Sequence, residues 1–183
     1  MMQPHFTAAQ LSQRVVYMFQ AYYKTLLGTV IIASSGEAVT AVKFQGTMPI
    51  NGKHSADTLT DMASVQLQEY LAGERCRFDL PLCPAGTPFQ KSVWTALLSI
   101  PYGETRSYGQ IAQMIGNPKA SRAVGMANNK NPICIIIPCH RVIGANSKLT
   151  GYAGGLGIKE ALLDLEKNLG AGTEVSSDIG QGG

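Results

Sequence analysis

Cysteine, histidine and arginine follow one another at residues 139–141, directly after an isoleucine-rich run that ends in Pro138. A thiol becomes a nucleophile when an imidazole or a cation stabilises its thiolate. The pattern therefore makes Cys139 a candidate for an ionised nucleophile, with His140 and Arg141 beside it, while the residues alone leave an inert buried thiol as the alternative. Because adjacent side chains often point apart, we expect His140 to act on the sulfur through a water molecule.

A carboxylate that holds the other imidazole nitrogen would complete a relay of the triad type. The last predicted helix, "LGIKEALLDLEKN", has an apolar inner face, and Glu166 lies next to Leu165 at the edge of that face. Glu166 is therefore one candidate for the carboxylate. Three other acidic residues remain open alternatives: Glu104, Glu160 and Asp164.

The other cysteines do not indicate a metal site or disulfides. Cys76, Cys83 and Cys134 are interpreted as inert thiols, because a buried lone cysteine usually behaves as a small apolar side chain. The sequence has no CxxC pair and its three histidines are scattered, whereas a structural zinc site needs clustered ligands. We expect no metal, no cofactor and, since no secretory signal is recognisable, a reducing cytoplasm.

The two halves of the chain differ in charge. Residues 1–86 hold six Lys/Arg and six Asp/Glu, whereas residues 87–167 hold nine Lys/Arg and four Asp/Glu, a net charge of +5. A basic C-terminal half favours an anionic partner such as nucleic acid. No apolar run approaches the roughly 20 residues that span a bilayer, so no membrane contact is expected.

The N-terminal half has the pattern of a small sheet followed by a helix. Two strands are predicted around the turn at residues 34–36, and a helix over "TLTDMASVQLQEYLAG". The stretch "LPLCPAGTP" predicts a linker, which places one domain at 1–86 and a second at 87–169, with a disordered tail at 170–183. The inner face of the helix is predicted at Leu59, Met62, Val65 or Gln66, Leu67 and Tyr70.

The C-terminal half has the pattern of a helix-turn-helix. Its first helix is capped by Thr87, a second is capped by Ser107 and ends at Gly116, and Asn117-Pro118 is predicted to cap a third. Two short helices separated by a three-residue joint are typical of this motif. The run "ICIII" after the third helix predicts a buried strand or extended segment.

The third of these helices, "KASRAVGMAN", has small side chains and one long cation past its first turn. Small residues such as Ala123 and Gly125 indicate either a helix packed tightly on a neighbour or a helix that approaches a narrow minor groove, with Arg122 reaching into the duplex. The residues alone leave both interpretations open.

The segments "GNPKASRAVGMANNKNPICIIIPCHRVIG" and "LTGYAGGLGIKEALLDLE" resemble the O6-alkylguanine-DNA alkyltransferases, also called methylated-DNA–protein-cysteine methyltransferases. The resemblance covers residues 87–167 and, more loosely, the N-terminal half. It implies an α/β (α+β) fold of two domains. The N-terminal domain would be a small ribonuclease H-like sheet with a helix, and the C-terminal domain would be mainly helical with a winged helix-turn-helix.

The resemblance implies direct-reversal DNA repair without a cofactor. Cys139 would take the alkyl group from O6-alkylguanine in double-stranded DNA and keep it as a thioether, so that each monomer reacts once; O4-alkylthymine is an open second substrate. His140 and Glu166 would activate the thiol, and Asn131 would brace its segment. Tyr108 would help to rotate the nucleotide out of the helix and hydrogen-bond the base.

The resemblance also implies a pocket and a DNA surface. Arg122 would fill the gap that the rotated nucleotide leaves in the stack. Val142, Tyr152 and Ala153 would line the pocket. The DNA contacts implied are those of Tyr108, Asn117, Arg122, Ala123 and Gly125.

Three positions depart from the family's pattern. Ala153 stands where some members have serine, which removes a hydroxyl contact and leaves a backbone donor. Gly109 and Ala145 replace polar side chains that touch phosphate in some relatives, which leaves the DNA affinity open.

Three other functions match parts of the pattern. A non-catalytic lesion sensor of the alkyltransferase-like type would bind damaged DNA, but such relatives replace the acceptor that Cys139 supplies here. A helix-turn-helix regulator would need several polar side chains on its recognition helix, where the sequence offers Arg122. A Cys-His hydrolase would need an oxyanion hole and a route to turnover.

Overall fold

A three-stranded antiparallel sheet and one helix form the N-terminal part of the protein. In the computed structural model, which describes residues 18–45, 55–146 and 148–170, the strands are β1 (Phe19–Thr25), β2 (Gly28–Ser34) and β3 (Val39–Phe44), in that order across the sheet. The helix α1 (Thr58–Leu71) packs on them. The strands β2 and β3 were predicted, whereas β1 was not; β1 is joined to β2 by a tight turn with Gly28 at φ +112°.

The predicted inner face of α1 is partly wrong. Leu67 and Tyr70 are fully buried as predicted, whereas Met62 and Val65 are 43% and 55% exposed. Gln66, the predicted alternative to Val65, is buried, and so is Leu71. The rest of the buried face consists of small or polar residues, which let the helix lie close to the sheet and hide its orientation from a hydropathy pattern: Thr60, Ala63 and Ser64.

Four helices make up most of the C-terminal part. They are α2 (Pro88–Leu98), α3 (Tyr108–Met114), α4 (Ser121–Asn129) and α5 (Leu156–Gly170), and the first three pack against one another. The predicted N-caps of α2 and α3 are confirmed, because each side-chain hydroxyl accepts from the backbone N–H three residues later. The capping residues are Thr87 and Ser107.

The joint between α3 and α4 differs from the prediction. Asn117-Pro118 does not cap α4, whose N-cap is Ala120 without a side-chain capping bond. Asn117 instead closes α3: its backbone N–H donates to the carbonyl of Ala112 at 2.9 Å, one residue after Gly116 at φ +71°. This is the usual arrangement at a helix C-terminus, and α4 begins only after the following turn.

The run "ICIII" is buried, but it is a turn and not a strand. Ile133 makes one bridge to Val42 of β3, and Cys134 makes another to Ile137. Ile135 has φ 69°, a left-handed conformation that is rare for a β-branched residue. The two bridges and the surrounding core hold this turn in place, which a sequence pattern of alternating burial does not reveal.

The turn leads into the segment that was predicted to carry the chemistry. Cys139–Arg141 forms one turn of 3-10 helix, and β5 (Val142–Ile143) follows it. β5 pairs in parallel with β4 (Arg106–Ser107), the short strand directly before α3. The pairing fixes the Cys-His-Arg turn beside the helix-turn-helix.

The sheet and the helices share a continuous core. The backbone N–H of Val42 donates to the carbonyl of Pro132, and the N–H of Cys134 donates to the carbonyl of Val42, both at 2.9 Å. β3 therefore supports the turn that precedes Cys139.

Within the described ranges no helix is both long and apolar enough to cross a membrane. The tail was predicted at residues 170–183, and all of it except Gly170 lies outside the described residues.

Candidate active site

Cys139 is buried at the start of its helical turn, with 3% of its surface exposed. The side chain of Asn131 spans the chain before it: Nδ2 donates to the carbonyl of Ile137 at 2.8 Å, and Oδ1 accepts from the N–H of Ile133 at 3.0 Å. The amide of Asn128 donates to the carbonyl of Cys139 at 3.3 Å. These bonds hold the backbone around the thiol in one conformation.

One of the four candidate carboxylates reaches the imidazole. Glu166 is 1% exposed, and its Oε1 lies 2.7 Å from Nε2 of His140, which is fully buried. Glu104 pairs with Arg106 at the surface, and the remaining two, Glu160 and Asp164, are exposed. The burial on the last helix thus selects Glu166 from the alternatives.

Glu166 accepts hydrogen bonds from four residues. Nε of Arg141 donates to its Oε2 at 2.9 Å and to Oε1 at 3.1 Å, and the N–H of Gly103 donates to Oε2 at 2.9 Å. The hydroxyl of Tyr70 donates to Oε1, the oxygen that His140 also uses. Burial by itself raises the pKa of Glu166, but the bonds and charges of His140 and Arg141 lower it to about 2. Glu166 is therefore an anion at neutral pH.

The anion determines which nitrogen of His140 carries the proton. Burial lowers the pKa of His140, with Glu166 opposing this effect and Arg141 and Lys159 adding to it. The imidazole is therefore neutral, and a carboxylate can only accept, so Nε2 is the nitrogen that donates. Nδ1 then has a free lone pair; it is buried and has no hydrogen-bond partner among the described residues. His140 is arranged as a proton acceptor.

The predicted resting thiolate is wrong. Burial raises the pKa of the Cys139 thiol, although Asn131 and the charge of Lys159 oppose the effect. The guanidinium of Arg141 does not stabilise the sulfur, because it is bound to Glu166 and to the carbonyl of Ile100 at 2.7 Å. The thiol is therefore protonated in the free protein and needs a base when it reacts.

Sequence reasoning missed two buried polar side chains at the site. Lys159 is fully buried, and its Nζ donates to the carbonyl of Val142 at 2.6 Å and to that of Thr150 at 2.9 Å, which ties β5 to the following loop. Its spacing from Leu162 and Glu166 places the three on one helix face, a signal that was available. Tyr70 lies in the other half of the chain, and no spacing in the sequence connects it with His140.

The residues predicted to line a pocket lie in two environments. Val142 is fully buried and Tyr152 is 9% exposed, with a hydroxyl that has no partner among the described residues. Burial raises the pKa of Tyr152 well above its usual value, so the phenol stays protonated. Ala153 is exposed. The phenol of Tyr108 is 2.8 Å from Oγ1 of Thr150, which brings α3 against the loop that contains Tyr152.

The helix α4 presents a small, mostly exposed outer surface. Arg122 and Ala123 are exposed and Gly125 is half-buried, while the packed face consists of Val124, Ala127 and Asn128. Of the two interpretations of the small residues, tight packing does not account for Ala123. Gly125 lies beside the ring of Tyr108, and a Cβ at this position would make an ordinary van der Waals contact with that ring at 3.6 Å. Asn117 is exposed in the turn before α4.

A buried cysteine, histidine and glutamate beside a helix-turn-helix and a three-stranded sheet define a helix-turn-helix protein with a candidate nucleophilic thiol. Residues 88–168 match the family model of the 6-O-methylguanine DNA methyltransferase DNA-binding domain, and residues 18–84 match that of the 6-O-methylguanine DNA methyltransferase ribonuclease-like domain. The chain belongs to the 6-O-methylguanine DNA methyltransferase family. The predicted family and the two-domain α/β fold are confirmed.

Individual relatives agree with this assignment. The chain is 56% identical over 153 residues to a methylated-DNA–protein-cysteine methyltransferase of Methanosarcina acetivorans, which covers 81% of this chain and 98% of the relative. It is 49% identical to the constitutive enzyme of that name from Bacillus subtilis, over 80% and 95% of the two chains. The crystal structure of Mycobacterium tuberculosis OGT in complex with DNA matches with a TM-score of 0.79 at 47% identity, over 83% and 94%.

Proposed function

We propose that this protein repairs DNA by direct reversal, taking the alkyl group of O6-alkylguanine irreversibly onto Cys139. It is thus a methylated-DNA–protein-cysteine methyltransferase that reacts once. The observation that supports this most is the buried relay, in which Nδ1 of His140 is free to accept a proton and Nε2 is bound to ionised Glu166. The relatives named above carry the same activity in their names.

The reaction is a displacement at the alkyl carbon. The thiol proton passes to Nδ1 of His140 through a water molecule, and Glu166 stabilises the imidazolium that forms. The sulfur of Cys139 forms the new S–C bond while the C–O6 bond breaks. The electron pair of the C–O6 bond goes to the guanine oxygen. Because a thioether has no easy hydrolytic exit, the thiol is consumed.

The base must leave the duplex before it can reach a buried sulfur. Extruding a nucleotide costs a few kcal/mol, and less when the base pairs poorly, as an alkylated guanine does. We assign Arg122 to the gap in the stack, and Ala123, Gly125 and Asn117 to the adjoining DNA surface. Tyr108 would exchange its bond to Thr150 for a bond to the guanine, with Val142, Tyr152 and Ala153 around the base.

The rival functions have less support. The acceptor Cys139 that lesion sensors replace is present, and it directly precedes the His140 that is bonded to Glu166. The exposed surface of α4 offers Arg122, but not the several polar base-reading side chains of a regulator. A Cys-His hydrolase is not supported by the relatives, whose names are those of methyltransferases.

We also propose the domain division at residue 86 and a cytoplasmic monomer that uses O4-alkylthymine at most as a second substrate. The matched family models end and begin on either side of that division, at 84 and 88. The relay is complete within one copy of the chain, so a monomer is sufficient for the proposed reaction. All four cysteines are free, which suits a reducing compartment.

The test is mass spectrometry after incubation with a duplex that contains O6-methylguanine. We expect one methyl group per molecule, located on the peptide of Cys139, and no further transfer on longer incubation. Cys139→Ala should abolish transfer while retaining duplex binding, and Cys76→Ser, which changes an exposed thiol, should react like the wild type. An unmodified Cys139 after prolonged incubation would contradict the proposal.

A further inference from the structure

The carboxylate of the relay is shared between the two parts of the chain. Tyr70 comes from α1 of the N-terminal part, yet it is fully buried and donates to Oε1 of Glu166. The same oxygen accepts from Nε2 of His140, and the Tyr70 hydroxyl lies 3.3 Å from that nitrogen. The three polar groups therefore meet at one oxygen atom, although Tyr70 and Glu166 are 96 residues apart along the chain.

Only one direction is available for the bond between Tyr70 and Glu166. Burial, together with the neighbouring charge of Glu166, raises the pKa of Tyr70 far above its usual value, while that of Glu166 is lowered to about 2. The phenol is thus a permanent donor and the carboxylate a permanent acceptor. A donor on Oε1 reduces the negative charge that the imidazole meets there.

We propose that Tyr70 is a positioning residue of the alkyl transfer. Its hydroxyl fixes Oε1 of Glu166 in line with His140 and reduces the negative charge of that oxygen. The imidazole therefore stays neutral and able to take the thiol proton. The inference rests on the proposed function, because it names a partner of the same relay. Tyr70 contacts neither the sulfur nor the base, and it acts through Glu166.

The charged groups that act on His140 come from α5 and from the 3-10 turn. Glu166 and Lys159 lie on α5, and Arg141 is the neighbour of His140 on the turn. Tyr102, which precedes β4, lies against Tyr70 and Arg141. Arg141 and Lys159 disfavour a second positive charge, whereas Glu166 favours it. Removing the Tyr70 hydroxyl leaves the carboxylate more negative, and protonated His140 is then favoured more strongly.

The test compares Tyr70→Phe with the wild type across pH. Tyr70→Phe removes one oxygen and keeps the ring, which packs on Phe78 and Tyr102. We expect the acid limb of the methyl-transfer rate to move to higher pH by about one unit, with the rate on the alkaline plateau within about threefold of wild type. A merely structural role would lower the plateau and leave the midpoint of the acid limb unchanged, and that result would overturn the inference.

Tyr102→Phe is the matched control. It removes a phenol oxygen from the same aromatic cluster, and that oxygen has no hydrogen-bond partner among the described residues. Its pH profile should coincide with that of the wild type. An equal shift in both variants would show that the aromatic cluster acts and not the bond to Glu166, which also overturns the inference.

A second measurement is independent of the reaction. The chain has three histidines, so ¹⁵N NMR of the labelled imidazoles can follow His140 directly, with assignment by comparison with His140→Gln. We expect Nε2 to carry the proton at neutral pH, and the titration of His140 to move upward in Tyr70→Phe alone. If the wild type transfers no methyl group the proposed function fails, whereas an unmoved titration with normal transfer defeats only the role of Tyr70.

Discussion

The interior of the relay and the outer surface of α4 are built in opposite ways. Around Glu166, four residues bind two carboxylate oxygens, and the charged groups involved are almost completely buried. On α4, Arg122, Ala123 and Met126 are exposed, and no buried polar network is present among the described residues of its outer face. One region holds its groups in fixed positions, whereas the other leaves its surface open for contact with a partner.

The difference separates the two tasks that we assign to the protein. Removing a proton from a buried thiol needs a base whose tautomer and orientation are set before the substrate arrives. Approaching a duplex needs a surface without bulk and one side chain that can enter the stack. Variants in the relay should therefore change the chemistry without changing binding, and variants on α4 should do the reverse.

The largest effect is expected when the relay loses its charge. Glu166→Gln should slow methyl transfer from duplex DNA by roughly 10²–10⁴-fold, the usual contribution of a general base, because His140 loses its fixed tautomer and its counter-charge. Single-turnover kinetics measure the rate, and fluorescence anisotropy should give an unchanged duplex affinity. Glu160→Gln, an exposed change on the same helix, is the control; equal slowing by both variants would argue against the relay.

The same carboxylate should make the protein sensitive to acid. Glu166 is ionised in the folded state down to about pH 2, whereas its ordinary pKa is 4.5. Stability from this group is therefore complete above pH 4.5 and is lost as the pH falls towards 2. We expect the free energy of unfolding to drop by about 3 kcal/mol over that window, as measured by urea denaturation.

Glu166→Gln again supplies the comparison for acid stability. The variant should be less stable at neutral pH, because Arg141 is left buried without its anion, and its stability should change less between pH 4.5 and 2. Parallel curves for the two proteins would contradict the low pKa of Glu166. His140 acts in a separate pH window that lies above that of Glu166. Because burial lowers the pKa of His140 below its ordinary 6.5, the folded protein loses further stability as the pH falls below 6.5.

The smallest effect is expected on the outer surface. Arg122→Ala should slow transfer from duplex DNA about tenfold, because nothing fills the gap in the stack. Reaction with a free O6-alkylguanine base, which needs no rotation out of a duplex, should stay within twofold of wild type. Lys167→Ala, which removes an exposed cation on α5, should change neither rate; a loss with the free base would place Arg122 in the chemistry.

Local chemistry predicted the parts of this protein that depend on neighbours in sequence. The caps at Thr87 and Ser107 follow from a hydroxyl and the next three residues, and both are confirmed. The Asn117-Pro118 cap failed because the preceding glycine recruited Asn117 into the end of α3. The inner face of α1 was partly misassigned because many of its buried residues are small or polar, such as Ala63 and Thr60.

The choice among four acidic residues shows what the sequence leaves undecided at the site. Spacing on the last helix placed Glu166 at the edge of an apolar face, but Glu160 and Asp164 remained alternatives until burial separated them. The protonation state of Cys139 was also predicted wrongly, because the neighbouring residues suggest cations while the fold gives Arg141 to Glu166. A pKa depends on the groups that surround the titrating atom in space, and the fold brings these groups together from segments that are distant in the sequence.

The residues themselves determined the family and pointed to Cys139 and His140 as the proposed nucleophile and its histidine, because the Pro-Cys-His-Arg motif and its flanking motifs are contiguous in the sequence. Only the tertiary structure decided that Tyr70 and Glu166 meet at one oxygen atom, that the imidazole proton lies on Nε2 and that the thiol rests protonated. Burial and hydrogen bonding set these properties, and both come from segments that folding brings together across the whole chain.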